Sequence, residues 1–147
     1  MRRLILIALT VVASTLLVVA EGSVVGAAGR APVLGSKTYE QLGGATGWGA
    51  LKPREIFNGG DPSGQVGSLS WKSWGSPVAL GTGKGFVFAP NGGYFPHPLT
   101  EQLRASGLGR CGAHGPRAYT HLEVRVPSKP GGPLGAWIPW GANGSIC

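Results

Sequence analysis

The side chains in this sequence that are suited to acid–base chemistry are six acids and three histidines. Asp61, Glu101 and Glu123 lie in segments with turn or strand character, and two of them together could form the carboxylate pair of a glycoside hydrolase. None of the three belongs to a distinctive catalytic motif, so the pattern gives this chemistry little support.

The histidines and serines also lack the spacing of known catalytic or metal sites. His97, His114 and His121 are not spaced i, i+4 and belong to no HExxH segment, and no GxSxG segment supplies a nucleophile. We therefore predict no catalytic residue, no metal site and no cofactor. The alternative is a hydrolase with an unrecognised site around Asp61, Glu101, His97 or His121.

Two tryptophans lie close together in the central stretch of the chain, residues 56–88. Indole rings bury a large area, so the favoured interpretation is that Trp71 and Trp74 anchor the core. The other interpretation is a platform for stacking a sugar ring or a base. If the chain binds a polymer or a partner, we predict a binding surface that includes Trp71, Trp74, Tyr94 and Asp61. Calcium binding by Asp61 is disfavoured because no second carboxylate has calcium-loop spacing.

The chain carries a formal net charge of +7. Its basic residues are dispersed, without the clustered patch that nucleic-acid binding requires, so we predict no nucleic-acid partner. Dispersed positive charge either suits a protein that meets a cell-wall polymer or an anionic surface, or has no specific role, and the second interpretation is favoured. A small basic toxin or antimicrobial is a further alternative, although the sequence contains no basic amphipathic helix.

Residues 1–28 have the pattern of a secretory signal peptide. Two arginines precede an apolar run from Leu4 to Ala20, and small residues offer cleavage sites. An uncleaved anchor is the alternative, but the run is near the lower limit for spanning a bilayer, about 17 residues. We predict a secreted protein with no membrane span after cleavage. Residues 29–50 are predicted to form a flexible arm, whose Tyr39 and Trp48 either dock onto the domain or remain free. Residues 51–147 are predicted to form one domain.

The domain has the composition of a β protein. The chain contains 27 glycines and 12 prolines, which disfavour helices. Residues 66–71 and 78–88 predict two strands joined by a tight connection, and the glycines at 81, 83 and 85 mark a bulge, a bend or close packing by an aromatic ring. Residues 91–92 predict a hairpin turn and residues 99–105 a further strand. We predict an all-β domain, either an antiparallel β-sandwich or a small open barrel.

The clearest strand is the segment Ala118–Val126, with a last short strand expected within residues 134–140. Alternation predicts an apolar face and a charged face turned to water. The apolar face contains Thr120, Leu122, Val124 and Val126. The water-facing side contains Tyr119, His121, Glu123 and Arg125.

The two cysteines, Cys111 and Cys147, most simply form one disulfide in an exported chain. An intermolecular disulfide or a free thiol are the alternatives. We expect the bond to hold a tail that otherwise has few contacts, and to keep Trp137 and Trp140 against the sheet.

One set of residues between positions 53 and 126 forms a recognisable pattern. It consists of Pro53-x-x-Ile56, Gly60-Asp61, Val66-x-x-Leu69-x-Trp71-x-x-Trp74-Gly75, Ala79-x-Gly81-x-Gly83 and Leu122-x-Val124. This pattern resembles a group of small secreted actinobacterial proteins of unknown function. The resemblance implies secretion and a β-rich domain, and it supplies no catalytic residues.

These observations together predict an exported, non-catalytic protein of the cell envelope or extracellular space that binds a polymer or a partner.

Overall fold

The computed structural model describes residues 29–39 and 44–147, and the predicted signal peptide lies outside them. The described elements are β1 (Val33–Leu34), β2 (Ile56–Phe57), a 3-10 turn (Pro62–Gly64), β3 (Gln65–Lys72), β4 (Ala79–Gly85), β5 (Leu99–Arg110), β6 (Arg117–Arg125) and β7 (Ile138–Pro139). No helix in this part of the chain is long and apolar enough to cross a lipid bilayer.

The strands form one curled sheet in the order β1-β6-β5-β4-β3-β2, with β7 also paired to β6. The pairings are antiparallel except for β1 with β6, which is parallel. Twist and curl close the inner face into a half-barrel. The prediction of an all-β, mostly antiparallel domain is confirmed, and of the two predicted architectures the structure corresponds to the open barrel and not to the sandwich.

Glycines occupy the inward positions of β4 because the neighbouring strand fills the space that side chains would need. A Cβ atom on Gly81 would lie 3.0 Å from ring carbons of Trp71, and one on Gly83 would lie 2.7 Å from the carbonyl oxygen of Gly67. The predicted close packing by an aromatic ring is therefore confirmed at Gly81. The register of β3 shifts between Gly67 and Ser70, so the bulge lies in the partner strand.

The substitution Gly83→Ala is expected to lower the free energy of unfolding by about 2 kcal/mol, because the new methyl group overlaps backbone atoms that cannot move aside cheaply. Gly67→Ala on β3 is the matched control, since nothing lies within 4 Å of a Cβ atom there. Its effect should stay within about 0.5 kcal/mol. Urea denaturation measures both, and equal losses in the two variants would contradict this account of β4.

The predicted strand at residues 118–126 is present as β6, and Leu122 is fully buried as expected. The alternation prediction is wrong at Tyr119, which is fully buried rather than water-facing. Opposite this region Gly107 has a left-handed backbone (φ +67°), and its carbonyl accepts a hydrogen bond from the Thr120 hydroxyl at 2.8 Å. This distortion turns Tyr119 into the core, where the ring of Trp74 lies 5.1 Å away.

The described part of the predicted arm packs on the domain. Leu34 is fully buried on β1, and Trp48 is 7% exposed and donates a hydrogen bond to the Phe57 carbonyl at 3.0 Å. Tyr39 meets Trp48 edge-on at 4.6 Å. Over residues 29–39 and 44–50 the arm is therefore a docked segment and not a free one.

A disulfide joins Cys111 to Cys147 at the end of the chain. The tail is also held without it, contrary to expectation, because Ile146 is fully buried. The amide of Ile146 donates to the Thr120 carbonyl at 3.0 Å, and its carbonyl accepts from the Ser36 amide at 2.9 Å. The tail thus connects the amino-terminal segment to β6.

Candidate functional site

An apolar groove opens at one end of the half-barrel, where the core meets solvent. Its volume is about 290 Å³, near the lower end of the range for small-molecule sites. Its lining includes Phe86, Phe88, Glu101, Val124, Ile138 and Trp140. We call this site the apolar groove.

The groove lies at the end of the inner face of the sheet, beyond the last layer of buried aliphatic side chains. On β5, alternation places Glu101, Leu103 and Ala105 inward, and all three are buried. Leu103 pairs with Val124 on β6. Glu101 therefore stands one inward position beyond the core, on the floor of the groove.

One wall comes from the segment after β4. That strand ends at Gly85, so the prediction that it continues through residues 86–88 is wrong: the segment enters a separate turn. The hairpin turn predicted at residues 91–92 is confirmed by the bridge between Phe88 and Tyr94, whose rings stack 4.7 Å apart. The turn leaves Phe88 58% exposed at the mouth of the groove.

The other wall comes from β7 and the residues after it. Ile138 pairs with Val124 and is 51% exposed. Trp140 is 5% exposed and donates a hydrogen bond from Nε1 to Oδ1 of Asn58 at 3.2 Å. The last short strand is thus confirmed, and it contributes one flexible aliphatic side chain and one fixed ring to the groove.

Glu101 is the buried charged residue among those that the structure describes, with 3% of its surface exposed. Its carboxyl group fits because Gly85 has no side chain: a Cβ atom there would lie 2.6 Å from Oε1 of Glu101. Glu101 has no hydrogen-bond or ion-pair partner within the described residues. Burial raises the pKa of Glu101 from its ordinary value of 4.5 to about 7.

Asp61 and Tyr94, two of the predicted binding residues, meet at the rim. The Asp61 carboxylate accepts hydrogen bonds from the Tyr94 hydroxyl, the Ser63 amide at 3.0 Å and the Ser63 hydroxyl at 2.9 Å. The Tyr94 and Ser63 bonds lower the pKa of Asp61, and partial desolvation followed by the bond to Asp61 raises the pKa of Tyr94. Ser63 also lines the groove.

Trp71 and Trp74 lie at the opposite end of the β3–β4 hairpin. Trp71 is 5% exposed and donates to the Pro53 carbonyl at 2.8 Å. Trp74 is half-buried, donates to the Pro32 carbonyl at 2.9 Å and packs edge-on against Trp71 at 4.9 Å. The structure therefore separates the four predicted binding residues into a rim pair and a packing pair.

The outer face of β5 and β6 carries Glu123 and Arg104, whose Oε2 and Nε atoms are 2.6 Å apart. The hydrogen bond from Arg104 lowers the pKa of Glu123. The guanidinium groups of Arg104 and Arg125 both lie over the ring of Trp137, 4.7 and 4.5 Å from its centre. Since Glu101 points inward and Glu123 outward, the two carboxylates do not form a hydrolase pair.

A second cleft, of about 560 Å³, lies beside the bulge of β3. Lys52 and Arg54 line it together with Ser68 and Ser70, and all four side chains are exposed. It is larger than the apolar groove, but no buried polar group points into it. It offers positive charge on an open surface.

Within residues 29–39 and 44–147, no three histidine, cysteine or acidic side chains cluster closely enough to hold a metal ion. Phe86, Phe88 and Trp140 were not predicted as site residues. The inward position of Glu101, between Leu99 and Leu103, was visible in the sequence. In comparisons with protein-family models, curated proteins and solved structures, nothing matches the chain.

Proposed function

We propose that this chain is an exported, non-catalytic binding protein that acts at or outside the cell envelope, and that the apolar groove holds an apolar group of its ligand. The observation that carries the proposal is the groove itself. Phe88 and Ile138 stay 58% and 51% exposed at its mouth, and a small domain leaves such a concave apolar surface open mainly where something binds.

Three features support export. Residues 1–28 have the signal-peptide pattern, the disulfide is of a kind that persists in oxidising compartments, and the central motif resembles that of small secreted actinobacterial proteins. Secretion is therefore the localisation that we propose, and the ligand is sought among molecules of the envelope and its surroundings.

One observation favours the hydrolase alternative: the pKa of Glu101, about 7, suits a general acid or base near neutral pH. Hydrolysis by a carboxylate pair needs a second acid close by. Glu123 lies on the opposite face, and the Asp61 carboxylate is held by Ser63 and Tyr94. These positions favour binding over catalysis. The exposed cationic cleft at Lys52 and Arg54 supports a weaker, separate contact with anionic polymers.

The test is equilibration of the purified protein with envelope lipid and glycan extracts, re-isolation, and mass spectrometry of the molecules that stay bound. We expect unchanged molecules with an apolar part to be retained. Phe88→Ser, which removes the exposed wall, should abolish retention.

Leu51→Ser is the matched control, because Leu51 is 60% exposed and does not line the groove. It should retain ligand as the unmodified protein does. Appearance of a new cleavage product in the extract would contradict the non-catalytic assignment, and equal retention by Phe88→Ser would contradict the placement of the site.

A further inference from the structure

The floor of the apolar groove contains a charge without a partner. Glu101 is 3% exposed, and neither a hydrogen bond nor an ion pair reaches its carboxyl group from the described residues. The cost of burying an ionised carboxylate is offset only when an opposite charge or hydrogen-bond donors accompany it. The residues around the groove supply neither, and the carboxyl oxygens keep a small contact with solvent, so the missing donor comes from water or from a ligand that enters the groove.

The charged residues on the neighbouring strands point away from the groove. On β4, Lys84 is exposed and donates to the Thr100 hydroxyl at 2.8 Å. On β5 and β6, Arg104 pairs with Glu123, and Arg125 donates to Gln102 on the outer face. Immediately before the 3-10 turn, Asp61 adds a second negative charge at the rim, which disfavours an anionic ligand.

The walls of the groove, like Glu101 on its floor, favour a cationic ligand. Phe86, Phe88 and Trp140 line the groove, and the faces of aromatic rings attract cations, including quaternary ammonium groups. A carboxylate beside several rings, within an otherwise aliphatic surface, suits an ammonium group that is carried on an apolar body.

The net charge of the chain does not by itself favour a cationic ligand. The protein is formally +7, so its overall field repels cations and attracts anions. Selective binding of a cation would therefore arise from local groups at the groove and not from the surface as a whole.

Building on the proposed function, we propose that the apolar groove selects an organic cation, with its ammonium group at Glu101 and its apolar body against Phe86, Phe88 and Ile138. The ligand class is an alkyl- or arylammonium molecule, or a larger envelope molecule that ends in such a group.

The test compares three probes with the same chain and different head groups: octylammonium, octanol and octanoate. Calorimetric titration at pH 8, where Glu101 is ionised, should show octylammonium binding at least about tenfold more tightly than octanol, as expected for a partly buried ion pair of more than 1.4 kcal/mol. Octanoate should bind more weakly than octanol. At pH 5.5 the preference for octylammonium should shrink, because Glu101 is then protonated.

Glu101→Gln keeps the shape of the floor and removes its charge. In this variant octylammonium and octanol should bind with similar affinity at pH 8, while Leu51→Ser retains the full preference. A thermal melt of Glu101→Gln confirms that the variant is folded.

The outcomes separate the two proposals. If octanol and octylammonium bind equally to the unmodified protein, or if Glu101→Gln keeps the preference, the cation assignment is overturned while the groove remains a binding site. If octanoate binds most tightly, the assignment is also overturned. If none of the three probes binds, the groove itself is refuted as the binding site.

Discussion

Removal of the Cys111–Cys147 bond is expected to lower the melting temperature by roughly 10 to 20 °C. The two cysteines are 36 positions apart, and closing a loop of that length stabilises a fold by about 3 to 4 kcal/mol in the chain-entropy description. A domain of this size loses several degrees of melting temperature for each kcal/mol, about 3 to 6 °C. Thermal melts in the presence and absence of a reductant measure the loss.

The double substitution Cys111→Ala with Cys147→Ala is the control, because a reductant should not affect it further. The buried Ile146 should keep the reduced tail attached at low temperature. If the double variant melts within about 2 °C of the oxidised protein, the entropic contribution is absent. Alkylation of both thiols in the non-reduced monomer, seen by intact mass, would contradict the bond itself.

The second large effect is a gain of stability when Glu101 is replaced by Gln. The pKa of Glu101 is 4.5 in the absence of burial and about 7 in the folded protein. A carboxyl whose folded pKa is raised binds its proton more tightly in the folded state, so stability falls as pH rises from 4.5 to about 7 and stays low above it. The loss corresponds to about 3 kcal/mol, since each pKa unit equals about 1.4 kcal/mol.

Glu101→Gln should therefore raise the free energy of unfolding by about 2 to 3 kcal/mol at pH 8 and change it little at pH 4. Urea denaturation at the two pH values measures both quantities. Glu123→Gln is the matched control on the outer face, where loss of the bond to Arg104 should decrease stability at pH 8. A destabilised Glu101→Gln at pH 8 would mean that the carboxylate has a partner in the folded protein.

Much of the sheet could be predicted because patterns of neighbouring residues in the sequence determine which segments form strands and which face of each strand is buried. Apolar residues at alternating positions place Leu122 on the inner face of β6, and packing by a neighbouring ring, one of three alternatives for the glycines of β4, is present where Trp71 meets Gly81. Cys111 and Cys147 offered a single intramolecular pairing. These features depend on a few adjacent residues or, for the disulfide, on the number of cysteines in the chain.

The groove could not be predicted because its walls meet only through long-range pairing. Ile138 and Trp140 reach the floor because β7 pairs with β6, and Phe88 reaches it because the chain turns away after Gly85. The sequence shows Glu101 at an alternating position with Leu103 on β5. Its burial could not be predicted, because it depends on which face of β5 packs against the core. Tyr119 was misplaced for a similar reason, since the distortion lies on the neighbouring strand β5, at Gly107 opposite Thr120.

The most direct test of a ligand site built around Glu101 is the pH titration of its side-chain carboxyl carbon by NMR, with and without octylammonium. We expect a midpoint near pH 7 in the free protein, and a midpoint about 1 to 3 pH units lower when the cation is bound, because an adjacent positive charge favours the carboxylate. A midpoint near 4.5 in the free protein, or one near 7 that octylammonium leaves unchanged, would contradict it.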